Sequence, residues 1–352
     1  MIAGKTKTEA NYRALMLDSS SSLKDFSMDR KKYYKKYILN QNVEEKENQA
    51  ANMGRIVETL LMEPEEIDNR FYMSACASPP TATMLDFVEA LYKHTSDCLD
   101  ELGKVTKPMS VLLEDAYKDS GFKIKFETVV SKFVGSDAEI YYNEILKVRI
   151  NNLTVVSSQD LAHGEKIVEV LKTNRTTAAI VNLVNSVNYS VLNQFQIENY
   201  EVDGHSFKSM LDKVIVCHKT KSIQIYDLKC TWSVENFYEE YYLYRRAYIQ
   251  AYLYKKAVEH LTKLEDNEWF GYSVENPQFI VCDSSNYYNP LIYTLTDEDM
   301  KDAYNGFDYK GKTYKGVKNL IADLKWALDN DIWNISRTNY QQNGIINIKH
   351  KG

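Results

Sequence analysis

HSFKSMLDKVIVCHKTKSIQIYDLKCTW, residues 205–232, reads as two strands around the polar turn HKTKS, rich in β-branched residues and carrying Asp212, Asp227 and Lys229. YSVLNQFQIENY precedes it across the turn-like DGH, so 187–232 reads as an antiparallel meander. Downstream, ENFYEEYYLYRRAYIQAYLYKKAVEHL predicts one long helix over roughly 233–264. NPQFIVCDS and NPLIYTLT predict two further strands, and DEDMKDAYNGF and TYKGVKNLIADLKWALDN predict two closing helices.

Upstream the texture is helical. Residues 19–39 begin with capping-type serines and read as a basic, aromatic helix. MGRIVETLLMEPEE (53–66) is helical to about Met62 and is stopped by Pro64. Residues 80–186 read as several helices with polar joints, among them SSQDLAHGEKIVEVLKTN, which Ser157 or Ser158 can cap. The class is therefore α/β (α+β), a small central mixed sheet flanked by many helices. With only 6 Pro and 13 Gly, and no Pro/Gly/Ser-rich linker, residues 1–352 read as one domain. Its parts are N-terminal helices over 1–66, a helical insertion over 67–186, sheet and long helix over 187–295, and C-terminal helices and tail over 296–352.

At 44% apolar and 26% charged, the composition is that of an ordinary globular protein. No signal-peptide core opens the chain, and no run of roughly 18 apolar residues occurs, so no membrane association is expected. The five cysteines, Cys76, Cys98, Cys217, Cys230 and Cys282, are scattered and form no C-x-x-C, which argues against structural zinc or a disulfide framework and for a reducing cytoplasm. The net charge of −6 does not advertise nucleic-acid binding, although phosphate contacts depend on local charge. Metalloprotease, P-loop, nucleophile-elbow and dinucleotide motifs are missing.

Asp227 and Lys229, two apart on a strand, share one face, and the hairpin can bring Asp212 beside Asp227. Two carboxylates and a lysine at a sheet edge form a hard-oxygen site suited to Mg²⁺ or Mn²⁺. There a metal would neutralise a scissile phosphate, and Lys229 would orient water or offset developing charge. The triplet alone is weak, since Glu44-Glu45-Lys46 is another acidic-x-Lys. Its company adds weight. Glu58 sits in an almost wholly apolar helix, where it is either at a solvated edge or buried with a partner, such as a metal. Gln250 and Tyr254, four apart, share a helix face that either packs or turns to the sheet edge. Arg245, Arg246, Lys255 and Lys256, and the Tyr-interleaved cluster Arg30, Lys31, Lys32, Lys35 and Lys36, suit a nucleic-acid backbone or a solvated helix face.

In this order the motifs resemble the PD-(D/E)xK nuclease superfamily, and within it the RecE-like phage and prophage exonucleases, relatives of the RecB nuclease domain and lambda exonuclease. The resemblance runs through Ser21-Ser-Leu-Lys24, Gly54-Arg-Ile-Val-Glu58-Thr-Leu-Leu-Met-Glu-Pro-Glu65, Met210-Leu-Asp212-Lys-Val, Ile225-Tyr-Asp227-Leu-Lys229-Cys-Thr231 and Tyr248-Ile-Gln250-Ala-x-x-Tyr254. Many relatives carry His where this chain has Glu58, and a second Thr where it has Cys230. The resemblance implies a restriction-endonuclease-like core and a Mg²⁺-dependent exonuclease that degrades one strand of duplex DNA, 5′ to 3′, from its ends. Glu58, Asp212, Asp227 and the Leu228 carbonyl would hold one or two metals, Lys229 would act as polar catalyst, and Gln250 and Tyr254 would support them. Arg245, Arg246, Lys255, Lys31 and Lys32 would contact DNA. No iron–sulfur cluster is expected, since Cys282 is the lone late cysteine. A homo-oligomeric ring (trimer or tetramer), a single-strand annealing protein as partner, and the cytoplasm of a bacterium or phage-infected host are further implications. The alternatives are a structure-specific or single-strand endonuclease of the same superfamily, and a non-catalytic DNA-binding protein retaining the fold.

Overall fold

The computed structural model describes residues 7–41, 49–74, 80–100 and 103–346; Glu44-Glu45-Lys46 and Cys76 lie outside them. The chain divides into two compact units, residues 1–62 with 166–352, and residues 63–165. The boundary at 165 falls inside the helix Ser158–Thr173.

In the larger unit, α1 (Ser20–Met28) starts at Ser19 through a capping box in which Ser19 and Ser22 satisfy each other's backbone N–H. The expected helix over 19–39 breaks at Asp29, whose backbone is extended and whose carboxylate accepts from the N–H groups of Lys31 and Lys32. That side-chain bond competes with the helix ladder, and the chain restarts as Arg30–Tyr33 and a π-helical turn, Tyr34–Ile38. Helix α2 (Gln49–Met62) ends before Pro64 and buries Ile56, Val57, Thr59 and Met62.

The central sheet has the order β1 (Tyr189–Val202), β2 (His205–Cys217), β3 (Ser222–Thr231), β4 (Gln278–Asp283), β5 (Leu291–Thr294). Strands β1 to β3 are the antiparallel meander. Asp203 and Gly204, both with positive φ, close its first hairpin, as the right-handed strand twist favours. One extra residue in β1 shifts the register between Ile197 and Tyr200. Strand β4 runs parallel to β3, which requires a crossover, and the crossover carries helix α3 (Ala247–Leu261). Eight consecutive residues of α3, Ala247–Tyr254, are buried, so this helix is the centre of the core and not a surface amphipath.

The single helix expected over 233–264 is two pieces. A π-helical segment, Tyr238–Tyr244, precedes α3, and Arg246 joins them in the left-handed conformation at φ 57°. There the Arg246 guanidinium donates to the Ser27 hydroxyl on α1. The closing region also differs from two plain helices. Between α4 (Asp297–Asn305) and α5 (Val317–Asn330) lies a hairpin of β6 (Gly306–Tyr309) and β7 (Lys312–Lys315). A Cβ on Gly316 would sit 2.2 Å from both Gly306 N and Tyr304 O, so the hairpin closes against α4 only with glycine there.

The smaller unit packs helices Ala82–Ser96, Met109–Asp119, Phe126–Phe133 and Asp137–Ile150 around Phe87, Leu112, Val129 and Tyr142. It also holds a parallel pair, Phe71–Met73 with Thr154–Val156. Among the described residues no helix is long and apolar enough to cross a membrane.

Because the atoms facing Gly316 are backbone, Gly316→Ala should cost about 2 kcal/mol in urea unfolding at unchanged m-value. A loss below about 0.5 kcal/mol would show that the hairpin can give way.

Candidate active site

Asp212 and Asp227 meet where β2 and β3 part. The last paired residues there are Lys213 and Tyr226, so the next step along each strand sets the two aspartates opposite one another. Beyond that point the ladder is replaced by a side chain: the Leu228 N–H donates to Asp212 Oδ2 at 2.8 Å. On the other edge of β2, the pairs Asn193–Lys213 and Phe195–Leu211 flank Gln194 and set it opposite Asp212. Gln194 Nε2 donates to Glu58 Oε1 at 2.7 Å, which ties α2 to the same row. Gly54 of α2 faces Cys230 of β3, where a Cβ would lie 3.7 Å from the cysteine Cβ, so this helix can run close over the strand.

Helix α3 supplies the other wall. Gln250 Nε2 donates to Asp227 Oδ1 at 2.8 Å and to the Tyr254 hydroxyl at 2.8 Å. Its Oε1 accepts from Lys24 Nζ at 3.2 Å. Lys229 forms an ion pair with Asp227 Oδ2 and donates to the Leu228 carbonyl at 3.3 Å. Asp227 is thus held from two sides at 1% exposure, and Asp212 is 8% exposed.

Burial raises the Asp212 pKa well above the ordinary value, and the neighbouring Asp227 and Glu58 charges raise it further; Lys229 and the Leu228 N–H pull it down. Burial opposes the charge on Lys229, yet Asp227, Asp212 and Glu58 outweigh it and raise its pKa, so Lys229 is a firmly held cation. Lys24 goes the other way. Burial, then Lys229, brings it down to about 8 despite Asp227, Asp25 and Asp212. The Tyr254 pKa is raised well above its ordinary value by burial and by the same two aspartates.

Asp212, Glu58, Gln194, Lys24 and Tyr254 line a cavity of about 1150 Å³. Its wall also carries Arg13, Lys32, Lys36, Lys208 and Arg245, the aromatic Tyr12, Tyr33 and Tyr37, the acidic Asp18 and Asp25, and an apolar part that includes Met16, Met28 and Leu328. The N-terminal part of that wall is pinned by Lys208, whose Nζ donates to the carbonyls of Tyr12, Arg13 and Leu15 at 2.9, 3.0 and 2.8 Å. Of the basic residues expected to meet a polyanion, Arg245 lines the cavity and lies over the Tyr241 ring at 4.4 Å. Lys32 lines it while paired with Asp25 at 2.9 Å. The structure takes the other three elsewhere. Arg246 is turned to Ser27, Lys255 donates to Asn276 at 2.5 Å, and Lys31 lines a separate cavity of about 420 Å³ near Trp333.

The oxygens able to hold a cation are the carboxylates of Asp212, Asp227 and Glu58 and the Leu228 carbonyl, a hard-oxygen set that suits Mg²⁺ or Mn²⁺. Among the described residues no three Asp, Glu, His or Cys side chains are gathered as a finished metal cage, and the Lys229 ammonium lies against Asp227. Lys24, Gln194 and Lys208 escaped the sequence reading as site residues; for Gln194 the one available signal, counting back from the Asp203-Gly204 turn, is spoiled by the bulge.

No protein-family model and no curated protein matches the chain. Among solved structures, a crystal structure from Eubacterium rectale named "Putative exonuclease" is similar to it, at 12% identity and a TM-score of 0.48, over 99% of this chain and 97% of that one.

Asp212 holds its proton more tightly folded than unfolded, so its burden on stability is absent below the unfolded value near 3.8 and grows as pH rises through the folded pKa. In chelator, Asp212→Asn should therefore unfold at higher urea than the parent at about pH 8 and level with it near about pH 4. A variant less stable than the parent at the higher pH would mean that the charge is compensated.

Proposed function

We propose that the chain is a metal-dependent deoxyribonuclease, a phosphodiester hydrolase that acts as an exonuclease on duplex DNA ends. The observation that carries this reading is the gathering of Asp212, Asp227 and Lys229 where two strands part, beside a cavity whose mixed wall includes six basic side chains. Glu58 lies within electrostatic reach of both Asp212 and Lys229. Asp212, Asp227, Glu58 and the Leu228 carbonyl would hold Mg²⁺ or Mn²⁺, which when bound supplies Lewis-acid polarisation of the phosphate and a more acidic attacking water.

The chain's own groups have distinct parts. Lys229, kept charged by three carboxylates, donates hydrogen bonds and offsets negative charge as the phosphorane-like state develops; it is not the base. Gln250 holds Asp227 Oδ1, leaving Oδ2 for Lys229 and a cation. Tyr254 accepts from Gln250, so its own hydrogen is available to an acceptor in the cavity. Arg245, with Arg13 and Lys36, which pair with Glu9 and Asp25, would raise the local concentration of the polyanion despite the net charge of −6.

The resemblance to RecE-like exonucleases supports the finer reading: 5′-to-3′ removal of one strand, a ring-shaped homo-oligomer, a single-strand annealing protein as partner in phage-type recombination, and a cytoplasmic setting. With end-labelled linear duplex and closed circular duplex in Mg²⁺, the linear DNA should be degraded and the circle spared; cleavage of the circle would assign an endonuclease instead. Asp227→Ala and Lys229→Ala should each lose activity on the order of 10³-fold with unchanged circular dichroism. An active Asp227→Ala protein ends the assignment. Because Asp212 must give up a tightly held proton for a cation, Mg²⁺ affinity in calorimetry should rise with pH through its raised pKa. An affinity flat from about pH 6 to about pH 9 would place the cation elsewhere.

A further inference from the structure

Lys24 lies on α1, which packs against α3, and its side chain reaches from the cavity wall to the Gln250 amide. A primary amide can be placed two ways, its oxygen and nitrogen exchanged. Here the partners decide between them. Asp227 Oδ1 is an acceptor and needs Nε2, whereas the Lys24 ammonium is a donor and needs Oε1. Exchange would set two donors against each other on one side and two acceptors on the other. Gln250 is 8% exposed, so water has little access to make good a lost partner. Without Lys24, Oε1 keeps no donor, and the amide is free to turn away from Asp227 and Tyr254.

We propose that Lys24 is a positioning residue that locks the Gln250 amide with Nε2 on Asp227, and through it fixes the Asp227 carboxylate for the reaction. The kinetic consequence rests on the nuclease reading above; the amide geometry does not. Its place in the cavity wall suggests a second role, direct contact with a DNA phosphate, and the two roles part in experiment. A phosphate contact acts on KM and on the salt dependence of binding. A lock on Gln250 acts on kcat, and only while Gln250 is there to be locked.

Lys24→Met, Gln250→Ala and the double variant test this in single-turnover cleavage at saturating duplex. Lys24→Met should slow the step roughly 10- to 100-fold, as loss of a side chain that orients a ligand group does. Its KM and salt dependence should stay within about twofold of the parent, and the double variant should be no slower than Gln250→Ala alone. The same fractional loss in both backgrounds, or a loss confined to KM, would overturn the proposal. A second reading needs no activity. The ¹⁵N side-chain resonances of Gln250, identified by their loss in Gln250→Ala, should move in Lys24→Met and return in Lys24→Arg. Should Lys24→Met not fold, Lys24→Gln, whose head is too short to reach Oε1, serves in its place. Unmoved Gln250 resonances refute the lock whether or not the protein cuts DNA. A parent protein that cuts nothing counts against the nuclease reading, and the resonances still decide on Lys24.

Discussion

Two aspartates buried side by side are costly, and the larger unit is arranged around holding them there. Asp212 and Asp227 face each other across the point where β2 leaves β3, too close and too dry for both to carry charge unaided. Three polar groups answer to that crowding directly. The Leu228 N–H takes one oxygen of Asp212, Gln250 takes one oxygen of Asp227, and Lys229 sits against the other. Glu58 lies within electrostatic range of Asp212 and pushes its pKa up further.

The topology brings the pieces together. The meander supplies both aspartates and Gln194, and the parting of its strands lets a carboxylate stand in for a backbone acceptor. The crossover between parallel β3 and β4 lays α3 over β1 and β2, from where Gln250, distant from Asp227 in sequence, reaches it and in turn bonds to Tyr254. Helices α1 and α2 close the site from the N-terminal side with Lys24 and Glu58. Lys208, reaching three carbonyls with one ammonium, keeps the N-terminal segment against β2 as a wall of the cavity.

Much of this was legible in the chain. Alternation and the Asp203-Gly204 turn gave the meander, two-residue spacing gave the shared face of Asp227 and Lys229, and four-residue spacing gave that of Gln250 and Tyr254. What was not legible has physical causes. Counting from the turn puts Phe195 opposite Asp212, and one bulged residue near Ile197 puts Gln194 there instead. Such a bulge is set by packing, not by a turn signal. The break at Arg246 is stabilised by a contact with Ser27, more than two hundred residues away in the chain, so no local pattern announces it. Lys24 lay inside a recognised segment, but its bond to Gln250 depends on α1 packing against α3, and Lys255, on α3 itself, turns to Asn276 and does not line the cavity. The smaller unit, with its core around Phe87 and Tyr142, carried no readable motif.

The carboxylates of Asp212, Asp227 and Glu58 are proposed to form a cation site. Crystals soaked in Mn²⁺ and measured at the manganese absorption edge test it most directly. The expected result is an anomalous peak within about 2.5 Å of oxygens from both Asp212 and Asp227, with Lys229 drawn back from Asp227. Saturating Mn²⁺ with no peak there, and Lys229 still against Asp227, would contradict it.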